Sequence, residues 1–396
     1  MKVGIMRTGS YSSSQTSGHP WRRGGVVDAW HRWFPASSAV TGDARTLMGV
    51  VAILSLVGLW MVYNASFVMA QKQYGDPFFF LKRQTISLGI ALVLFAAAAR
   101  VSMDRLREKT AVMAVTIFAL LVAVLLVGNE VNGASRWLRL GPIQAQPSEV
   151  AKLFAIFYLA HYIAKCPDRL KRFSGLLPPL GVIGIGMALI VIEDLGTAAT
   201  LALLTGLLLF LGGAKLRHLA ALALPCAMLV VVAVKVAPYR MVRLTAFRDP
   251  WADPLGSGYQ ILHSLAALGS GGAFGTGPGE GKEKLFFLPE THTDFIFSVI
   301  GEEFGLIGTL AVLALFATLL FCGLRIARNQ MDPFRRLLAQ GATLMIVLAA
   351  MIHMGVATAL LPTKGLALPF ISYGGSSLAV SWAAIGLLFN ISQTED

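Results

Sequence analysis

Charge is what this sequence has least of. Only 14% of its 396 residues are Asp, Glu, Lys or Arg, against about 25% in a soluble domain. That shortfall excludes an ordinary soluble enzyme, and the 56% hydrophobic content excludes an intrinsically disordered chain. Cysteine is also scarce. Cys166, Cys226 and Cys322 are far apart and form no C-x-x-C pair, so neither a disulfide framework nor a metal site follows from them. The first 45 residues are rich in Ser, Gly and Arg and do not show the basic, apolar, small-residue order of a cleavable signal. Nucleotide motifs fail as well. Ahead of Gly281-Lys282 the Walker glycine is Thr276 and the next residue is Glu283, and a dinucleotide fingerprint starting at Gly275 meets Glu280 where glycine is required.

What is present is a series of apolar runs long enough to cross a bilayer as helices. We read ten, near 46–69, 84–101, 110–128, 148–164, 176–193, 196–213, 217–237, 295–324, 338–361 and 374–392. The fold class is therefore an all-α polytopic membrane protein of about ten transmembrane helices. The net charge of +12 is what Lys- and Arg-rich inner loops produce, so no nucleic-acid partner is inferred. The basic residues concentrate in the N-terminal tail and in alternate short loops, which predicts both termini in the cytoplasm. Within a basic, partly disordered tail over 1–45, Val26, Val27, Trp30, Trp33 and Phe34 recur beside Arg22, Arg23 and Arg32. That pattern fits either an interfacial helix over 21–35 or a disordered segment.

One connection dwarfs the others, at 238–293 between the seventh and eighth spans. Glycines crowd its second half, and 261–268 is apolar. This predicts a structured extracytoplasmic loop with a short amphipathic helix returning to the membrane surface.

Three clusters carry candidate chemistry, because charge at membrane depth is costly and rarely idle. In the first, a helix beginning near Thr293 would place Asp294, Ser298 and Glu302 on one face. Two readings of Asp294 stand side by side. Thr291-x-x-Asp294 is spaced as a capping box, and an acid at the mouth of a span is also a candidate base. Glu302 and Glu303 suit an ion pair with a neighbouring span. His292 is a polar loop residue with no second His or Cys at metal spacing.

The second cluster runs from Asn132 to Leu153. Glu149 and Lys152 stand at i, i+3 and can neutralise each other, or Lys152 and Arg136 can meet a phosphate. The third, 361–377, is broken by two prolines and three glycines. It reads as a re-entrant loop carrying Lys364, or as an ordinary outer connection.

These segments carry a resemblance. NGASRW, QPSEVAKL, EDLGTA, YRMVRLTAFRDPWADPLGSGYQ, LPETHTDFIFSVIGEEFG and PTKGLALPFISYGGSS stand in the order found in the SEDS proteins (shape, elongation, division and sporulation), the group of FtsW and RodA. The similarity covers about 46–392, and the wording of FSVIGEEFG and LPFISYGGSS is nearer the FtsW branch. The chain departs from the family pattern at His353, usually Asn, and at Glu193-Asp194.

The resemblance implies a transmembrane domain over 46–394 and an inner-membrane peptidoglycan glycosyltransferase that polymerises lipid II at the division septum. A lipid II flippase, a non-catalytic divisome scaffold and an elongation-type polymerase are the alternatives. It implies Asp294 as the catalytic residue. Candidate substrate-binding residues are then Arg136, Glu149, Lys152, Asp194, Arg243, His292, Glu302, Lys364 and Ser372. The implied partners are lipid II, a class B penicillin-binding protein, other divisome membrane proteins and membrane lipids. No cofactor is called for with certainty, although a divalent cation, Mg²⁺ or Mn²⁺, could share the diphosphate charge.

Overall fold

The computed structural model describes residues 42–393 except 132, 133, 141, 142 and 286. The N-terminal tail, with the interfacial helix expected over 21–35, lies outside the described residues. Thirteen α-helices are described, and seven of them are long and apolar enough to cross a membrane. These seven are α1 (Gly42–Tyr74), α2 (Phe79–Ala98), α4 (Thr110–Val127), α8 (Leu216–Val236), α11 (Ile296–Arg328), α12 (Pro333–Ala357) and α13 (Gly375–Gln393). The remaining three predicted spans are α5 (Pro147–Lys165), α6 (Leu177–Glu193) and α7 (Leu195–Leu211). All ten apolar segments are thus helices, in a polytopic membrane protein.

The boundaries follow local chemistry. Proline stands at the first turn of α5, α6 and α12, where its missing N–H costs nothing. Asp332 accepts a hydrogen bond from Phe334 N and Asp194 from Thr197 N, capping α12 and α7. A short α3 (Met103–Glu108) links α2 to α4. Between α4 and α5 stands an antiparallel meander, β1 (Asn129–Val131), β2 (Ala134–Leu140) and β3 (Ile143–Ala145), which the apolar pattern did not suggest. Ser376, at the start of α13, accepts from Gln146 N and donates to Gln144 O, tying this sheet to the bundle.

Burial separates centre from rim. In α12, 72% of the best apolar window is buried inside the protein, whereas in α8 none is. α12 packs on α5 and α11, α11 on α1, and α13 on α2.

The long loop is structured, as expected. It contains α9 (Pro238–Arg248) and α10 (Tyr259–Gly271), followed by a glycine-rich segment that enters α11. α11 is broken at Gly305, whose φ of 65° is open to glycine at little cost. The glycine-rich backbone fills the break. Leu306 N donates to Gly272 O and Ile307 N to Ala273 O, while Thr276 N and Gly277 N donate to Glu302 O and Glu303 O. Broken helix at membrane depth needs such internal partners, and this insertion accounts for the glycine density.

A buried charge cluster holds the segment down. Lys284 Nζ donates to Glu303 Oε1 at 2.7 Å, to Asn64 Oδ1 at 2.8 Å and to Gly279 O at 2.7 Å. Both ion-pair partners are shielded, at 1% and 0% side-chain exposure. The ion pair expected of Glu303 therefore exists, but its partner comes from the loop and only Asn64 from a span. Lys284→Met should cost about 3–5 kcal/mol of stability by stranding a buried carboxylate, and adding Glu303→Leu should recover part of that loss. Reversible unfolding of the variants in bicelles checks both.

Candidate functional site

The site forms where the turn ahead of α11 meets the α12–α13 connection. Glu290, at φ 54°, starts the turn, and its carbonyl accepts from Thr293 N, Asp294 N and Phe295 N at 3.2, 3.0 and 3.3 Å. α11 begins only at Ile296, with Phe295 as an N-cap that makes no side-chain cap bond. This corrects two expectations. Asp294 precedes the helix and does not share a face with Ser298 and Glu302, and the capping box is not formed, because Thr291 Oγ1 donates to Ala65 O instead. Asp294 is half-buried, and its carboxylate faces Gly365. A Cβ at Gly365 would sit 3.0 Å from Asp294 Oδ2, so glycine is what lets the loop approach the acid.

The 358–374 connection is pinned along its length. His353 Nδ1 donates to Leu366 O at 2.6 Å. Ser372 Oγ accepts from Leu368 N and donates to Thr293 O at 2.6 Å. Tyr373 N donates to His292 O at 2.9 Å, and Gln84 Nε2 to Ser372 O at 3.1 Å. The segment folds back onto the Asp294 turn. Lys364 leaves it toward α7, where Nζ donates to Thr200 Oγ1 at 2.8 Å and the aliphatic stem lies over Gly196, whose missing side chain makes the space.

Several predicted substrate contacts also have partners within the protein. Asp194 accepts from Thr197 N and Thr197 Oγ1, fixing the first turn of α7 and with it Gly196 and Thr200. Glu302 accepts from Lys282 N and Glu283 N and clamps the loop. Ser372 is a buried strut. Lys152 Nζ donates to Glu149 Oε1 at 2.7 Å, both residues buried, so the i,i+3 pair neutralises itself. Arg136 lies on β2, and its side chain is outside what is described. Arg243 is exposed on α9 and borders a cavity of about 320 Å³ with Tyr259, Gln260, Pro289 and Thr363. His292 is 4% exposed, with its ring centroid 4.4 Å from that of Phe80 and 5.6 Å from that of Tyr373. Its Nδ1 has no hydrogen-bond partner among the described residues. Burial pulls its pKa down to about 4, so the ring is neutral above that pH.

Two features escaped the sequence. An apolar cleft of about 890 Å³ opens between α6, α7 and α8, lined by Met187, Leu195, Ala199, Cys226 and Val230 among others. At its rim Arg240 donates to Val191 O at 2.8 Å and to Ala233 O at 3.2 Å. Only the absence of a polar face on α8 could have hinted at it. No cluster of three or more His, Cys, Asp or Glu suited to a metal occurs among the described residues.

Residues 44–396 match the sequence profile of the FtsW/RodA/SpoVE family, described as cell cycle proteins. The chain belongs to this family. Family members named probable peptidoglycan glycosyltransferase FtsW include one from Geobacter sp. (strain M18), 42% identical over 357 residues, 89% of this chain and 97% of that one. Stage V sporulation protein E of Bacillus subtilis is 40% identical, covering 89% and 98%. Among solved family structures, a chain from a study of how a peptidoglycan synthase complex coordinates polymerization and crosslinking aligns with a TM-score of 0.73 at 31% identity, covering 90% and 98%. RodA of Thermus thermophilus aligns at 0.65 and 27%, covering 91% and 98%.

A lowered histidine pKa has a signed consequence. Between pH 6.5 and about 4 the unfolded chain binds a proton at His292 that the folded chain excludes, so stability falls as pH drops through that window, by ~3 kcal/mol in all. His292→Gln should flatten this part of the melting-temperature profile measured against pH.

Proposed function

We propose that this protein is a peptidoglycan glycosyltransferase that polymerises lipid II, with Asp294 as the base. The carrying observation is Asp294 outside the helix it was spaced to cap, set against Gly365 of the segment that also sends Lys364 to α7. Lipid II has a long polyprenyl tail, a diphosphate and a disaccharide-peptide, and each would need a different surface. The cleft between α6, α7 and α8 is apolar and suits the tail. α7 forms part of its wall through Leu195, Ala198, Ala199 and Ala202, and one face over it holds Lys364 at Gly196 and Thr200. An ammonium beside a lipid-sized cleft suits a diphosphate.

In the reaction, the acceptor sugar's 4-hydroxyl attacks the donor's anomeric carbon. Asp294 takes the hydroxyl proton, the glycosidic bond forms, and the bond to diphosphate breaks with its electrons on the leaving oxygen. One displacement inverts the α linkage to β. Lys364 steadies the charge that grows on the diphosphate. A divalent cation carried mainly by the diphosphate would add to this, since Mg²⁺ needs few protein ligands.

Lys- and Arg-rich short loops support cytoplasmic termini, which sets Asp294, Lys364 and the α9–α10 loop on the outer side. The similarity to FtsW proteins supports septal synthesis over elongation, beside other divisome proteins. The structural relative from a complex that couples polymerization to crosslinking supports a class B penicillin-binding protein as partner.

The test is glycan synthesis from lipid II by the protein reconstituted with that partner. Wild type should make strands, and Asp294→Asn should lose about 10²–10⁴-fold in rate with melting temperature and partner binding retained. An unchanged rate would remove Asp294 from the mechanism. Wild type that moves lipid II across vesicles without polymerising it would establish a flippase instead.

A further inference from the structure

The end of the bundle opposite Asp294 carries a basic cluster that the proposed reaction does not use. α12 ends at Ala357, beside the α12–α13 connection, and Phe334 in its first turn lies about 35 Å away along the axis. α5 runs the other way. Gln146, just ahead of α5, donates through its N–H to Ser376 at the start of α13, which puts that end of α5 on the Asp294 side. The missing side chain of Gly341 on α12 makes room for Ile156 on α5. Two turns further from the site, Phe334 therefore stands level with Ile163, near the end of α5 at Lys165.

α3 completes the cluster. Asn390 Nδ2 on α13 donates to Ala98 O at 3.2 Å and to Val101 O at 2.8 Å, which fixes the turn ahead of α3. Met103 is buried, and Thr110 Oγ1 donates to Arg107 O at 2.8 Å. From this held backbone the Arg107 guanidinium stands 5.4 Å from the ring centroid of Phe334, which is only 1% exposed. A cation over an aromatic face is attracted to it and loses freedom to roam. His161 and Lys165 stand at i, i+4 on one face of α5, and the charges of both Arg107 and Lys165 act on the His161 ring.

Three observations set these groups apart from cations that only fix topology. Neither Arg107 nor Lys165 has a carboxylate partner among the described residues. Asp332, two residues before Phe334, is occupied by Phe334 N and by Arg335. The Nδ1 of His161 is buried and has no hydrogen-bond partner among the described residues. Two positive charges beside an unmet ring nitrogen are unfavourable until an anion joins them. A phosphate satisfies all three, with guanidinium as a fork, ammonium as a point charge and imidazole N–H as a donor.

We propose that this cluster binds the phosphodiester headgroup of an anionic phospholipid in the leaflet opposite Asp294, through Arg107, Lys165 and His161. Basic pockets between spanning helices suit such headgroups. Val112 and Val115, at the same end of α4, are exposed and offer apolar surface to the acyl chains. With cytoplasmic termini the leaflet is the inner one. The site is independent of the polymerase reading.

The test is native mass spectrometry of the full chain in detergent with added phosphatidylglycerol, and with phosphatidylcholine as the neutral comparison. Wild type should retain phosphatidylglycerol in preference. Arg107→Gln and Lys165→Gln should each weaken that retention about fivefold and together about thirtyfold, the contribution of one cation and of two near a headgroup. Arg169→Gln with Arg172→Gln removes as much charge from the exposed turn after α5 and should bind as wild type. In phosphatidylcholine nanodiscs the Arg107→Gln, Lys165→Gln double variant should melt with the wild type, and only added phosphatidylglycerol should separate them. Equal retention by wild type and double variant, or an equal loss in the control pair, overturns the site. So does a double variant destabilised equally in both nanodiscs, because the cations then serve packing alone. Displacement of the lipid by millimolar inorganic phosphate would assign the cluster to a soluble phosphate compound and overturn the lipid.

Discussion

The α12–α13 connection is held on three sides, and the arrangement of the site depends on that restraint. Ser372 ties it to Thr293, and Tyr373 ties it to His292, both within two residues of Asp294 in the chain. His353 holds Leu366 from α12, and Lys364 reaches Thr200 on α7. These bonds join α7, α12 and the α11 lead-in through a segment with no regular structure of its own. Positioning of this kind matters because a base contributes only when its oxygen lies within hydrogen-bond reach of the proton it takes. A loop fixed by four separate contacts keeps Gly365 against the acid, and Ser372 on Thr293 keeps the acid's own turn in register.

A second restraint works behind the first. The break at Gly305 exposes backbone in α11, and the glycine-rich segment repairs it by inserting between Glu302 and Ile307. Glu302, Glu303, Lys284 and Asn64 then bind that segment to α11 and α1. Most of the buried acids among the described residues are therefore spent on architecture. Asp194 caps a helix, Glu149 holds Lys152, and Glu302 and Glu303 hold a loop. Asp294 differs in position: it is half-buried, precedes its helix, and stands against Gly365 of the α12–α13 connection.

The helices were legible in the sequence to within a few residues, because apolar runs bounded by Pro, Gly and charged turns leave little choice in a bilayer. Asp294 and Lys364 were singled out as charges that membrane depth makes expensive. What could not be read was which charged groups satisfy each other. The i,i+3 pair of Glu149 with Lys152 is local and was visible as an option. Lys284 with Asn64, Ser372 with Thr293 and His353 with Leu366 join residues from different segments, and no periodicity reports such contacts. Capping misled for a related reason. Thr291 and Asp294 have the right spacing, but the carbonyl of Ala65 on α1 takes the threonine hydroxyl, and tertiary geometry overrides the local motif. The meander over β1–β3 was missed because its strands are short and flanked by spans.

The central claim is that Asp294, held against the α12–α13 connection, takes the proton of an acceptor sugar while the lipid tail of the donor lies in the apolar cleft. The most direct measurement is an electron cryomicroscopy structure of the Asp294→Asn protein with lipid II bound. The account predicts the polyprenyl tail between α6, α7 and α8, the diphosphate at Lys364, and residue 294 within hydrogen-bonding distance of an acceptor sugar hydroxyl. Lipid II bound elsewhere, or residue 294 turned into the protein away from both sugars, would contradict it.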